Sequence, residues 1–357
     1  MAVGARNGWD LHGDQRFGDC RVVPSTEGVT VKVDSAEEQE RSMRGTIQVA
    51  VTGASGFLGR HFIKELTQEP DVVVRALAHE ESGQTHPTSG NLTWIRGRME
   101  DKRCLCQLLV RDGCLVHLAY PPNWDVERHL AATEVLARAA AEVGVRRVVH
   151  CSTAMVVGAL TATRVDEGTH CNPATTYERT KLLIEQSLST LLEGVVELVV
   201  LRPSAILGIG GKNLIKLAGE LTFGSRYTNY ARSCLMGRRT MNLVCVENVS
   251  AALLFLLKRK QTSVLEKYFV SDDDDPGNNF RSVEQALMEH LLIQDYGVPI
   301  LPVPLFVLAA VLRMRGRSCA NPRRLYDSSM LVRAGYRKTT TLAHGLARFA
   351  RWFRESQ

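Results

Sequence analysis

Thr52-Gly53-Ala54-Ser55-Gly56-Phe57-Leu58-Gly59 is the stretch that decides the fold. It follows the short apolar run Ile47–Val51 and precedes a stretch of helical spacing through Leu66. It therefore reads as strand, tight turn and helix. Gly53 permits the turn, Gly56 lets backbone approach a pyrophosphate, and Gly59 lets helix and strand pack closely. Ser55, Phe57 and Leu58 complete the cradle, and the helix start offers free amides to phosphate. A lone glycine motif is weak, but the strand-turn-helix context makes this one specific.

Working outward, Val72–Ala78, Leu92–Ile95, Cys114–Ala119, Arg147–Cys151 and Val195–Leu201 read as further buried strands. Val126–Val143 and Tyr177–Leu192 have helical spacing. Apolar strands alternating with amphipathic helices predict parallel βαβ units, hence an α/β, Rossmann-type doubly wound sheet. After about residue 203 the alternation degrades, with helices expected near 212–222, 248–258, 280–292 and 342–354. The reading is a dinucleotide-binding domain over 45–203 that carries the reacting residues, and a smaller substrate lobe over 204–357 interleaved with it. Residues 1–44 lack periodicity and read as a flexible extension. Val298–Leu312 is apolar but interrupted by Pro299, Pro302 and Pro304, too short and broken to span a bilayer.

The 357 residues are 45% hydrophobic and 23% charged, which excludes disorder, coiled coil and collagen. Nine cysteines, an odd number without C-x-x-C spacing, and no leader-like start predict reduced thiols in the cytoplasm and no metal site. The net charge of +6 is uneven: from Arg313 to Glu355, eleven Arg or Lys face two acids, a local +9. Nucleic acid is not expected, because no binding motif accompanies the charge. A solvated basic face with one or two arginines aimed at a substrate phosphate is the preferred reading.

Two more segments carry chemistry. In Tyr177-Glu178-Arg179-Thr180-Lys181, phenol and ammonium share one helical face, and a neighbouring cation favours phenolate. Alone, Tyr-x-x-x-Lys is commonplace. His150-Cys151-Ser152-Thr153 ends the fifth strand, where a hydroxyl meets the ligand crevice, while His150 and Cys151 read as core.

These pieces, in this order, resemble the extended short-chain dehydrogenase/reductase superfamily (the NAD-dependent epimerase/dehydratase family). Val116-His117-Leu118-Ala119, Leu201-Arg202-Pro203-Ser204 and Asn242–Val249 support the likeness. The tail Asp327…Ala334-Gly335-Tyr336, with a helix ending at Trp352, resembles nucleotide-sugar epimerases. The resemblance implies Tyr177 as acid-base, Lys181 as the ribose-binding cation that tunes it, and Thr153 as the hydroxyl on the substrate oxygen, with Ser152 the neighbouring candidate. It implies that Leu118, Ala119 and Pro203 join the glycine turn at the cofactor. Three positions depart from the pattern: His129 stands where Asn is common, Arg98 replaces an aspartate, and His79 ends the second strand in place of an acid. His79 leans the cofactor toward NADP, with NAD kept open.

Dehydratases of the superfamily follow the hydroxyl with Asp-Glu; here stand Ala154 and Met155, which move no proton. The resemblance therefore implies a nucleotide-sugar 4-epimerase or 4-ketoreductase, acting on a nucleotide diphosphate sugar, and a homodimer by analogy. A hydroxysteroid or other carbonyl dehydrogenase is the alternative. A non-catalytic dinucleotide sensor or scaffold is the alternative of another class.

Overall fold

A computed structural model describes residues 45–79, 90–260, 263–314 and 321–357. The extension over 1–44 and the acids Glu80 and Glu81 lie outside the described residues. In chain order the first half contains β1 (Ile47–Thr52), α1 (Phe57–Leu66), β2 (Val72–Ala78), β3 (Leu92–Arg96), α2 (Lys102–Leu108), β4 (Cys114–His117), α3 (Val126–Val143) and β5 (Arg147–Cys151). Then come a 3₁₀ turn (Ala154–Val157), β6 (Arg164–Val165), α4 (Thr176–Leu192), β7 (Glu197–Pro203), β8 (Ala205–Leu207), α5 (Ile215–Phe223), α6 (Arg226–Met236) and β9 (Leu243–Cys245). The remainder is α7 (Val246–Lys258), β10 (Leu265–Val270), α8 (Phe280–His290), α9 (Leu305–Met314), β11 (Leu325–Tyr326), α10 (Ser329–Arg333) and α11 (Leu342–Glu355).

Seven parallel strands form one sheet in the order β10-β7-β5-β4-β1-β2-β3. Phe62 and Leu66 of α1 and Leu253 and Leu256 of α7 join Val49, Val51 and Val74 in a core on one face. Leu105, Leu136, Ile184 and Leu188, from α2, α3 and α4, join Ala50, Leu115 and Val148 on the other. Both faces are covered, so the strands are apolar on both sides, as a parallel sheet requires. The expected doubly wound α/β architecture is the one observed. A third core, with Leu217, Leu287, Phe349 and Phe353, holds α5, α8 and α11 together.

Boundaries differ where side chains turn outward. β7 begins at Glu197, not at Val195, which is 64% exposed in the preceding turn. β4 ends at His117; Leu118 N still donates to Thr52 O at 3.1 Å, and the backbone of Leu118 and Ala119 then lies against Gly53 of the glycine turn. α2, α6, α10 and β10 were not expected. β10 closes the edge of the sheet beside β7, so residues beyond 203 complete it.

Candidate active site

The glycine turn lies at the carboxyl end of β1, in the middle of the sheet, where the strand order reverses and ligands bind in such folds. Gly53 has φ +72°, and a Cβ there would stand 2.6 Å from Ala119 N. A Cβ on Gly59 would stand 2.1 Å from Gly53 O. These two glycines are demanded by the protein itself. Gly56 is not: its φ of −70° suits any residue, and a Cβ would meet only Gly53 O, at 3.2 Å. Its open side faces solvent, and it begins α1 without a side-chain cap, leaving the first amides for an external acceptor. The surroundings therefore fit a pyrophosphate lying against Gly56.

A cleft of about 390 Å³ runs from this turn, lined by Ser55, Phe57 and Leu58, past Leu118 and Ala119, to His79, Arg98 and Met99. At that end Arg128 grips Glu100 through two bonds of 2.7 and 3.0 Å and stacks 4.5 Å over Trp124. The Arg128 hydrogen bond holds the Glu100 carboxyl below its usual range, and the charges of Arg98 and His79 add to the effect. Pro203 ends β7, beyond β4 and β5, and does not line this cleft.

Tyr120 connects the cleft to the second cluster. Its ring stacks 4.2 Å from His129, meets Tyr177 edge-on at 5.2 Å, and lies 4.6 Å beneath Lys181 Nζ. The capping box of Thr175 and Glu178 starts α4, so Tyr177 and Lys181 project from a fixed first turn. Thr153 has extended backbone, caps the 3₁₀ turn by accepting from Met155 N, and its hydroxyl lies near the Tyr177 phenol.

Sequence reasoning has Lys181 pulling the phenol toward neutrality. The structure corrects this for the ligand-free protein. Burial pushes Tyr177 up to about 12, and the nearby Thr153 hydroxyl opposes it only in part. Lys181 donates instead to Cys151 O at 3.1 Å, and burial lowers its own affinity for a proton against the pull of Cys151 and Glu185. Tyr177 is thus held as a neutral acid.

The two hydroxyls separate cleanly. Ser152 Oγ donates to Glu185 Oε1 at 2.5 Å, inside a buried pair in which Arg202 Nη2 donates to Glu185 Oε2 at 2.6 Å. Only Thr153 faces the phenol. Tyr177, Lys181 and Glu185 recur every four residues, so one face of α4 carries both the cluster and its anchor. Ala154 is fully buried, and Met155 is 45% exposed. His117, hydrogen-bonded to Thr52 at 2.8 Å, stacks 5.0 Å from His150; burial drives His117 down to about 3 and His150 well below its ordinary value. Sequence reasoning missed Tyr120, Glu185 and the His129 stack. Only the four-residue spacing of Glu185 gave a signal.

A family model described as the NAD dependent epimerase/dehydratase family matches residues 49–270. The chain belongs to that family. Among curated proteins it resembles UDP-glucose 4-epimerase of Vibrio cholerae, 25% identical over 292 residues, covering 76% of this chain and 83% of that one. It also resembles the uncharacterized protein y4nG of Sinorhizobium fredii, 27% identical over 176 residues, or 47% of this chain. This chain spans less than half of y4nG, 43% of its length. Among solved structures, Bordetella bronchiseptica WbmH in complex with NAD+ superposes with TM-score 0.67 at 20% identity, over 87% of this chain and all of that one. A dTDP-glucose 4,6-dehydratase from Bacillus anthracis, in complex with NAD, gives 0.63 at 17% identity, over 87% of this chain and 97% of that one. At such identities these superpositions speak for the fold of the family.

Proposed function

We propose that this member of the NAD-dependent epimerase/dehydratase family interconverts a carbinol and a ketone on a nucleotide diphosphate sugar, as a 4-epimerase or 4-ketoreductase. The observation that carries the reading is the convergence of the Tyr177 phenol and buried Lys181 on the Tyr120 ring, at 5.2 and 4.6 Å, with the Thr153 hydroxyl beside the phenol. Gly53, Ser55, Gly56, Phe57, Leu58 and Gly59 would hold the pyrophosphate, and Lys181 the nicotinamide ribose. A bound nicotinamide supplies hydride acceptance and donation. Thr153 holds the reacting substrate oxygen. Tyr177 delivers a proton to that oxygen when the carbon is reduced and removes it when the carbon is oxidised. The neutral form present without ligand is the one ketone reduction needs. Lys181, once turned from Cys151 O toward a ribose, lowers the phenol pKa for the reverse direction.

Elimination across the sugar ring is disfavoured, because Ala154 and Met155 offer no second acid or base. NADP is the preferred dinucleotide, since His79 ends β2 with Arg98 nearby, and the acid at that end of the cleft, Glu100, is already engaged by Arg128. The substrate lobe over 204–357, a cytoplasmic setting, and a homodimer through α3 and α4 belong to the same reading.

The test is to incubate the protein with NADH or NADPH and a panel of UDP- and dTDP-linked sugars, with products identified by mass spectrometry. Tyr177→Phe should bind dinucleotide normally and turn over about 10²–10⁴-fold more slowly. Near-native turnover by Tyr177→Phe overturns the assignment.

A further inference from the structure

The loop after α8 and the helix α9 carry large apolar side chains that the other described residues leave uncovered. Residues 295–303 are strapped to one side of α6: Arg226 Nη2 donates to Asp295 O at 2.5 Å, Tyr230 Oη to Pro299 O at 2.9 Å, and Val303 N to Cys234 O at 2.9 Å. Positions 226, 230 and 234 share a helical face, so these bonds fix one side of the segment. Away from them, Val298 is 55%, Leu301 72% and Phe306 76% exposed, and Met314 at the end of α9 is 80% exposed. From Leu305 to Leu312 the helix has no charged or polar side chain. A helix apolar all round is ordinarily buried. Here Leu308 turns inward while Phe306 stands in water. Single exposed apolar residues need no explanation, but four large ones in one short stretch do.

Beside this face lies a cleft of about 480 Å³. Ile300 and Pro302, which flank Leu301, line it together with Arg238, Arg281 and Arg323. Apolar face and cationic cleft are therefore contiguous. Arg281 is engaged by Glu284 and Asp295, at 3.0 Å each. Arg238 and Arg323 have no ion-pair partner among the described residues.

We propose that this face rests on an anionic membrane surface, with Leu301 and Phe306 entering the boundary between headgroups and acyl chains and Arg238 and Arg323 taking lipid phosphates. The pairing is the one interfacial elements use: modest apolar insertion strengthened by guanidinium–phosphate contacts. α9 has ten residues, far short of a bilayer's thickness, so it lies on the surface. The charge argues for lipid over a second copy of the chain. Two copies meeting through this face would bring their arginines together, whereas an anionic leaflet attracts them. None of this depends on the proposed reaction.

The experiment is cosedimentation of the full chain with vesicles of phosphatidylcholine alone or with about 30% phosphatidylglycerol. Binding is expected to the anionic vesicles, strongly reduced by about 0.5 M salt. Arg238→Gln and Arg323→Gln should each weaken it about fivefold, and Phe306→Ser about tenfold. Leu301→Ser gives a second apolar variant should Phe306→Ser alter the melting temperature. Absence of binding to anionic vesicles, or equal binding by wild type and all four variants, overturns the proposal. So does self-association abolished by Phe306→Ser without vesicle binding, which assigns the face to a second copy. Inorganic pyrophosphate bound through Arg238 and Arg323, with vesicles ignored, assigns the cleft to a free phosphate and also overturns it.

Discussion

The glycine turn and the Tyr177 cluster sit at the same end of the sheet but are built differently. The turn is made of backbone and missing side chains, and its geometry is complete without a ligand. The cluster is made of side chains whose charges burial has set for rest: phenol neutral, ammonium engaged by a strand carbonyl. One region therefore depends on backbone that is already in place, whereas the other depends on side chains held by their buried partners. Substitutions should expose that difference.

The largest effect belongs to the turn. Gly59→Ala forces a methyl to within 2.1 Å of Gly53 O, a backbone atom that cannot step aside. It should cost more than about 4 kcal/mol, seen as loss of the folded state in urea titration. A variant that melts like wild type would show that α1 can move away from β1.

Next come the hydroxyls. Thr153→Ala removes the hydroxyl beside Tyr177 and should slow turnover about a hundredfold, or about 2.7 kcal/mol in the barrier. Ser152→Ala breaks only the bond to Glu185 and should cost less than tenfold, with dinucleotide affinity unchanged. The reverse order, measured as kcat at saturating cofactor, would transfer the substrate oxygen to Ser152.

The smallest effect lies beneath both regions. His117 falls to about 3 in the folded chain, against about 6.5 when unfolded. Below pH 6.5 the unfolded imidazole takes a proton that the folded one refuses, so acid favours unfolding. From pH 6.5 down toward 3, this histidine should remove up to about 1.4 kcal/mol per pH unit. Urea midpoints at pH 7.5 and 5.5 should reveal the loss, and His117→Gln should reduce it, with His150 keeping its own share. A slope unaltered by His117→Gln would show that other groups carry the acid sensitivity.

The same contrast explains what was legible in the sequence. The cradle could be read because glycine spacing and apolar strands state backbone requirements directly. Buried strands announced themselves by unbroken Val, Leu and Ala. β10 did not, because its Leu-Glu-Lys-Tyr sequence looks like a surface segment; Glu266 is buried only because Arg259 pairs with it at 2.9 Å. Short α2 and polar α6 carry too few apolar residues for a helical period to show. In the site, Tyr177, Lys181 and Thr153 were named from pattern, and the structure brings them together. Which hydroxyl faces the phenol, and where the ammonium rests, depend on Glu185, Arg202, Cys151 and Tyr120, partners supplied by tertiary packing. No spacing along the chain encodes them.

Nothing among the described residues requires Gly56 to be bare, which leaves a bound dinucleotide as the proposed reason for it. Its φ of −70° accepts any side chain, and a Cβ there would meet only one backbone oxygen. The most direct measurement is calorimetric titration of NADH and NADPH into wild type and Gly56→Val, with melting curves of both. Wild type should bind, whereas Gly56→Val should melt within a few degrees of it and bind neither dinucleotide. Unchanged affinity in a folded Gly56→Val protein would mean that no pyrophosphate lies against Gly56.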